Sequence, residues 1–347
     1  MEPTRRTVLQ AGALLASGGT LAACRSTTGS DEEGDALRVA GYPVDRVRAL
    51  ATGEVRIEGY RHRFEKAAIY ELNAVAMGGD QRWDIQEIGL LPYMLATANE
   101  GFADYTLIPV FPLRAFRHKS MFVRVDGDVS KPEDLRGRRV CTAGYSQSSL
   151  TWIRGILQHE YGVHPHEMKW VLARKSSEGE VSRNEARVPE GVEFTWGPAG
   201  RDESQLLLEG TVDAVLSAKE PQAFIDGDPR VRRLFPDARR TERAYFEKTG
   251  IFPIMHAVAV RKDLVDRDPG LPLAAYVAYA QAKDRNYSAM RDVGWAMTAL
   301  PWYAQELEET RALMGDDFYA FGIRANRTTL ETLFRYSHEQ GLCSRRL

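Results

Sequence analysis

The chain has 347 residues, of which 46 are Lys or Arg and 48 are Asp or Glu, so its formal net charge at neutral pH is −2. This near balance excludes the strongly basic composition of a nucleic-acid-binding protein. A hydrophobic content of 44% is that of a packed globular protein, and the length suits one large domain or two lobes.

The N-terminus has the pattern of an exported lipoprotein. The pair Arg5-Arg6 precedes an uncharged apolar stretch, Ala11 to Ala23, which is too short to span a membrane as a helix. Small residues then precede Cys24, whose thiol is the lipid acceptor in such signals. We therefore predict a twin-arginine signal peptide over residues 1–23 and a flexible tether over residues 24–35. The alternative is a tail that contains a cysteine by chance.

These signals predict an extracytoplasmic protein that is anchored to the membrane by a lipid on Cys24. Two further cysteines, Cys141 and Cys343, follow, and the sequence leaves open whether they pair. No Cys/His cluster has zinc-ligand spacing, so neither a metal nor another cofactor is expected.

Apolar runs of strand length alternate with helical patterns along the rest of the chain. The predicted strands, in chain order, cover residues 37–40, 83–88, 105–111, 120–125, 139–143, 168–172, 192–197, 214–217 and 257–260. The predicted helices cover residues 93–99, 148–161 and 205–209, and helices dominate from residue 273 onward. This alternation predicts an α/β fold with mostly parallel sheets.

Two lobes fit this order of elements. We predict that residues 36–125 form the first part of lobe 1, that residues 126–217 form lobe 2, and that residues 218–347 return to lobe 1 and end in helices. Such a fold binds its ligand between the lobes, at the C-terminal ends of strands and the N-termini of helices.

One strand-to-helix junction has the composition of an anion site. The strand that ends near Ala143 runs through Tyr145 to Ser148 and Ser149, where a helix begins. Serine hydroxyls and exposed backbone N–H groups at a helix start can bind an anion. Ordinary capping of the helix by either serine is the alternative, and the two roles are compatible. The rings of Tyr145 and Trp152 are candidates for an apolar wall.

Cationic side chains follow other predicted strands. Arg114 and Arg117 lie after one strand, and Lys219 lies after a buried one. The planar guanidinium group suits a carboxylate, although a solvated loop arginine is the ordinary alternative for each residue. His256 follows an apolar run and precedes a strand, where a buried, hydrogen-bonded histidine is the common explanation. Together these groups predict a small anionic ligand.

Several longer segments resemble the 4,5-dihydroxyphthalate decarboxylase family. The resemblance lies in residues 108–118, 131–137, 152–157, 160–163, 230–236, 249–256 and 339–342, and it covers most of the chain from about Leu37. It implies a fold similar to type II periplasmic solute-binding proteins, with two α/β lobes and a hinged cleft. It also implies one of two activities, since members of this broad group are decarboxylases of aromatic acids or transporter binding proteins.

The leading hypothesis is a solute-binding lipoprotein that delivers a small, aromatic carboxylate to an ABC-type permease, because export and acylation suit solute capture. The alternative is a decarboxylase of hydroxylated aromatic acids. Such an enzyme must protonate the ring carbon that loses carbon dioxide, and the candidate acids are His256 and His118 with Glu87 as a partner. A scaffold or signalling role without transport is a third hypothesis.

Overall fold

The described residues form two large β-sheets with helices packed on both, and a small two-stranded sheet over residues 175–180. The predicted signal peptide, the predicted lipidation site Cys24 and the predicted tether lie outside the residues that the structure describes. The computed structural model describes residues 36–176, 179–180, 188–292, 298–343 and 345.

The strands, in chain order, are β1 (Leu37–Gly41), β2 (His62–Lys66), β3 (Ile85–Gly89), β4 (Tyr105–Arg114), β5 (Met121–Arg124), β6 (Arg139–Thr142), β7 (Lys169–Leu172), β8 (Lys175–Ser176), β9 (Gly179–Glu180), β10 (Phe194–Trp196), β11 (Ala214–Leu216), β12 (Val231–Arg233) and β13 (Ile254–Arg261). The helices are α1 (Asp45–Ala51), α2 (Ile69–Gly78), α3 (Leu90–Glu100), α4 (Ser148–Tyr161), α5 (Glu203–Leu208), α6 (Gln222–Ile225), α7 (Ala238–Thr249), α8 (Lys262–Arg267), α9 (Leu271–Asp292), α10 (Tyr303–Met314) and α11 (Ile323–Glu339).

The first sheet has the strand order β2-β1-β3-β13-β4 and is called lobe 1 together with the helices packed on it. Strand β1 is parallel to β2 and β3, whereas β13 is antiparallel to both β3 and β4. All but the last residue of β13 are buried, as expected for a central strand covered on both faces. In the register of β13 and β3, His256 lies opposite Gly89, at the C-terminal end of β3.

The second sheet has the order β10-β7-β6-β11-β5-β12 and forms lobe 2. Its first four strands are parallel, and β5 runs antiparallel to both β11 and β12. Each sheet therefore combines a parallel part with antiparallel strands, which makes the sheets more mixed than the alternation of elements predicts.

Strand pairing indicates different positions for the proposed lobe boundaries. Both β5 and β12 pair within the second sheet, so the chain crosses into that sheet before Met121 and leaves it after Arg233. Sheet membership alone would thus move the proposed boundary at 125/126 toward the N-terminus and the one at 217/218 toward the C-terminus.

Several elements follow the sequence pattern closely, and others do not. Helix α4 has the predicted bounds, and Gly162 ends it in the left-handed conformation that favours glycine. Strand β4 continues beyond the predicted end at Phe111 as far as Arg114. Strand β2 and helix α7 were not predicted, because both are dominated by charged residues and lack a continuous apolar run.

Helix α11 contacts both lobes. Leu330 and Leu333 pack in a cluster that includes Phe111 of lobe 1 and Trp152 of lobe 2. Further along, the ring of Tyr336 covers Gly155 of α4, where an added Cβ would lie 1.9 Å from the ring. Just beyond the helix, Leu342 and Cys343 pack in the apolar core of lobe 2. The C-terminal helix therefore ties the two lobes together.

The two described cysteines, Cys141 and Cys343, are buried and do not form a disulfide. Burial raises the pKa of the Cys141 thiol well above its ordinary value, which makes it unreactive as a nucleophile. No helix in the described part of the chain has the length and apolar character needed to cross a membrane.

Candidate functional site

The central feature of the site is a buried pair formed by His256 and Glu87. Nδ1 of His256 on β13 lies 2.5 Å from Oε1 of Glu87 on β3, and the two residues are 9% and 3% exposed. The register between β13 and β4 shifts on both sides of His256, and such bulges redirect side chains. A carboxylate so close to one ring nitrogen fixes the orientation of the imidazole.

The segment after β1 completes the environment of the pair. The backbone N–H of Tyr42 donates to Oε2 of Glu87 at 2.9 Å, so both carboxylate oxygens are hydrogen-bonded. The ring of Tyr42 lies 5.8 Å from the ring of His256. Nε2 of His256 has no hydrogen-bond partner among the described residues. It is also absent from the buried polar atoms that lack a partner, so it is accessible to solvent. Nε2 is therefore the ring nitrogen open to a ligand.

The N-termini of α3 and α4 meet between the two sheets. The backbone N–H of Leu91 in lobe 1 donates to Oγ of Ser148 in lobe 2 at 3.1 Å. Gln147 occupies the N-cap position of α4 without a side-chain cap hydrogen bond, so the alternative of capping by Ser148 or Ser149 is wrong. Both serines are buried in this arrangement.

Arg114 is buried and has no carboxylate partner among the described residues. Its guanidinium group donates to the carbonyl oxygen of Ala320 at 2.6 Å and to Oδ1 of Asn326, and both acceptors are neutral. Burial lowers the pKa of Arg114 to about 10. Arg117 is likewise buried, donates to the carbonyl oxygen of Ala218 at 2.9 Å, and has a pKa lowered to about 10 by burial. Lys219 is exposed.

Two residues that sequence reasoning assigned to a ligand wall lie in the core. Tyr145 is fully buried, and the guanidinium carbon of Arg154 lies 3.7 Å from its ring centre. The indole N–H of Trp152 donates to the carbonyl oxygen of Ile254 at 3.0 Å, which connects α4 of lobe 2 to β13 of lobe 1. In this arrangement both rings contribute to packing within and between the lobes.

No described ring contact or hydrogen bond joins His118 to His256 or Glu87. Its ring packs against the rings of Tyr161, Phe235 and Tyr245 at centroid distances of 5.2 to 6.2 Å. Neither ring nitrogen has a hydrogen-bond partner among the described residues, and burial lowers its pKa to about 4. His118 is therefore neutral near pH 7, which makes it a poor proton donor.

Two residues at this edge of lobe 1 were not predicted from the sequence as site residues. Nε of Arg46 donates to the carbonyl oxygen of Pro112 at 2.5 Å, next to Leu113, which lies opposite His256. The guanidinium carbon of Arg46 also lies 4.2 Å from the ring centre of Tyr319. Tyr42 is the second missed residue. Their position in the sequence could have identified Tyr42 and Arg46, since both residues closely follow a buried parallel strand.

The part of the chain that the structure describes contains no group of three or more His, Cys, Asp or Glu side chains suited to hold a metal ion.

Solved structures with a similar fold include solute-binding proteins. The periplasmic aliphatic sulphonate-binding protein of Escherichia coli has a TM-score of 0.52 at 14% identity, and the match covers 90% of this chain and 95% of that one. The alkanesulfonate-binding protein of Xanthomonas axonopodis has a TM-score of 0.51 at 11% identity, with 90% and 96% of the two chains covered. At this identity the likeness shows the fold, and it confirms the predicted two-lobed, type II periplasmic-binding-protein-like architecture.

The sequence relatives have the name of an enzyme, whereas the two structures above are named as binding proteins. A 4,5-dihydroxyphthalate decarboxylase of Comamonas testosteroni is 34% identical over 311 residues, which are 90% of this chain and 94% of that protein. A protein of the same name from Pseudomonas putida is 31% identical over 192 residues, or 55% of this chain and 74% of that protein. No protein-family model matches the chain. The extent of the first match shows that this chain belongs to the 4,5-dihydroxyphthalate decarboxylase family.

Proposed function

We propose that the protein is a carboxy-lyase that removes carbon dioxide from a hydroxylated aromatic acid. The observation that carries this proposal is the buried His256–Glu87 pair, in which Glu87 occupies Nδ1 while Nε2 remains open to a ligand. The names of the two sequence relatives support the same reaction class.

The proposed chemistry needs one proton donor. Protonated His256 gives the Nε2 proton to the ring carbon that bears the carboxylate, while a conjugated ring hydroxyl releases its proton to water and becomes a carbonyl group. The bond between the ring and the carboxylate then breaks and carbon dioxide leaves. The electron pair of that bond restores the aromatic ring and moves the carbonyl electrons back to oxygen, which takes a proton from water, and His256 regains its proton from solvent. Glu87 keeps the Nδ1 proton in place throughout and so holds Nε2 in one orientation toward the substrate.

Arg114 is the proposed contact for the substrate carboxylate, and Arg46 joins it from the neighbouring segment. A buried guanidinium group with only neutral acceptors is unfavourable, and an anionic ligand would compensate its charge. Within the described part of the chain, Arg46 pairs with the carboxylate of Asp45 at 2.8 Å, and the Asp45 side chain is 59% exposed. Arg114 and Pro112, whose carbonyl oxygen accepts from Arg46, flank Leu113, the residue of β4 that pairs with His256.

The test is release of carbon dioxide from 4,5-dihydroxyphthalate by the purified protein. We expect turnover by the wild type and a loss of roughly 100-fold in His256→Gln, with substrate binding largely retained, because general acid catalysis typically contributes that much. His166→Gln, a substitution at an exposed histidine of lobe 2, is the control and should leave turnover unchanged. Absence of turnover, or a His256→Gln variant as active as wild type, contradicts the proposal.

The second candidate function is solute capture by a lipoprotein that delivers a small carboxylate to an ABC-type permease. The N-terminal pattern that ends at Cys24 favours it, since that pattern predicts export and a lipid anchor outside the cytoplasm. Cys24→Ala should abolish acylation and release the protein from the membrane fraction. A wild-type protein that carries no lipid, or that binds no carboxylate, would remove this candidate.

A further inference from the structure

Strand β1 ends at a glycine that faces the carboxylate of the buried pair. A Cβ atom added at Gly41 would lie 2.9 Å from Oε2 of Glu87 and 3.1 Å from its Cβ. Gly41 is not among the glycines with positive φ, so its backbone conformation is open to other residues. What this position requires is therefore space for Glu87 rather than an unusual backbone angle.

The same approach of strands produces the hydrogen bond that holds Glu87. Because Glu87 lies against β1 at Gly41, its Oε2 reaches the backbone N–H of Tyr42 at 2.9 Å. Tyr42 is itself fixed, since its hydroxyl oxygen accepts a hydrogen bond from the backbone N–H of Ile69 at 3.0 Å. Glu87 is thus held on one side by the chain after β1 and on the other by His256.

We propose that Gly41 is a positioning residue for proton transfer, acting through Glu87 on His256. This proposal rests on the proposed carboxy-lyase function. The missing side chain at position 41 lets the carboxylate bridge the Tyr42 amide and His256 Nδ1, and so presents Nε2 in one orientation. A methyl group at this position displaces the carboxylate by several tenths of an ångström and breaks at least one of its two hydrogen bonds.

Gly41→Ala tests the proposal with two readouts. Turnover should fall at least 10-fold while KM changes less than 2-fold, since the residue does not touch substrate. In proton NMR, the strongly hydrogen-bonded Nδ1–H signal, assigned to His256 by its absence in His256→Gln, should be lost or move upfield. Gly78→Ala is the matched control, because an added Cβ there meets nothing within 4 Å and φ is not positive. Gly78→Ala should leave both readouts unchanged.

The double variant Gly41→Ala/Glu87→Ala distinguishes a loss of Glu87 positioning from a general loss of native structure. If Gly41 acts only through the Glu87 carboxylate, the double variant should be as active as Glu87→Ala alone. It should fold even if Gly41→Ala does not, because the 2.9 Å contact with Oε2 is gone and only the milder 3.1 Å contact with Cβ remains. A further loss of activity in the double variant, or an unchanged Nδ1–H signal in Gly41→Ala, overturns the proposal. If the wild type shows no turnover, the proposed function fails, and the NMR signal still decides whether Gly41 positions Glu87.

Discussion

Oε1 of Glu87 lies 2.5 Å from Nδ1 of His256, although the two residues are 169 positions apart in the chain. They meet because β13 returns from lobe 2 and inserts beside β3 in the sheet of lobe 1. The crossing between lobes thus assembles a histidine–carboxylate pair of the kind that orients a proton donor or acceptor. Neither residue could form it within its own segment.

The first prediction concerns the carboxylate. Glu87→Gln keeps the shape of the side chain and an acceptor for the Tyr42 amide, but it removes the charged acceptor that orients the His256 ring through Nδ1. We expect turnover to fall roughly 100-fold with little change in the melting temperature. Glu58→Gln, at an exposed position, is the control. A folded Glu87→Gln protein with wild-type turnover would show that the pair is structural only.

The second prediction concerns anion selection by Arg114 and Arg46. Replacing either by Gln should weaken binding of an aromatic carboxylate, measured by calorimetry, by roughly 10-fold to 150-fold, as expected for one lost charge-assisted hydrogen bond. The amide of the same ligand should bind the wild type much more weakly than the acid. Arg48→Gln, exposed on the same helix as Arg46, should have no effect. Equal affinity for acid and amide would refute the anion site.

The fold and parts of the site follow from sequence patterns, and the side-chain environments do not. Helix α4 could be predicted to the residue because Gly162 is a strong local stop signal. The end of β4 could not, since Arg114 looks like a loop arginine until the partner strand β13 is known. Whether a cation is buried depends on which distant elements cover it.

The two histidines show the same limit. Each is flanked by residues compatible with a core or a cleft, and local pattern does not separate these settings. His256 gains a carboxylate from β3, whereas His118 gains three aromatic rings from α4, α7 and the segment between β12 and α7. Those partners come from remote parts of the chain, so only the tertiary structure distinguishes a candidate proton donor from a neutral core histidine.

The third prediction concerns acid stability and His118. Burial lowers its pKa to about 4, below the ordinary value of 6.5, so between these pH values the native state binds fewer protons than the unfolded state. The resulting stability is fully present above pH 6.5 and is lost as the pH falls through about 4. At most it amounts to about 3 kcal/mol. His118→Phe should remove this part of the pH dependence, as measured by urea unfolding at pH 7 and pH 4.5. Parallel curves for both proteins would contradict the assignment.

The fourth prediction concerns the contact between Gly155 of α4 and Tyr336 of α11. In a helix interior, Gly→Ala ordinarily stabilises by roughly 0.5–1 kcal/mol, because alanine has the higher helix propensity. Here the added Cβ would lie 1.9 Å from the Tyr336 ring, so α11 must move or the ring must leave its place. Overpacking of this kind costs roughly 1–3 kcal/mol, and the expected sign is therefore opposite to that of propensity.

Denaturant unfolding of Gly155→Ala, Tyr336→Leu and the double variant decides between these effects. If the ring contact causes the loss, the double variant should be less destabilised than the sum of the two single variants, because the smaller side chain makes room for the methyl group. Gly78→Ala, where an added Cβ is uncrowded, should be neutral or stabilising. A stabilised Gly155→Ala protein would mean that α11 does not pack closely on α4. The close contact of α11 with lobe 2 at Gly155 would then be refuted.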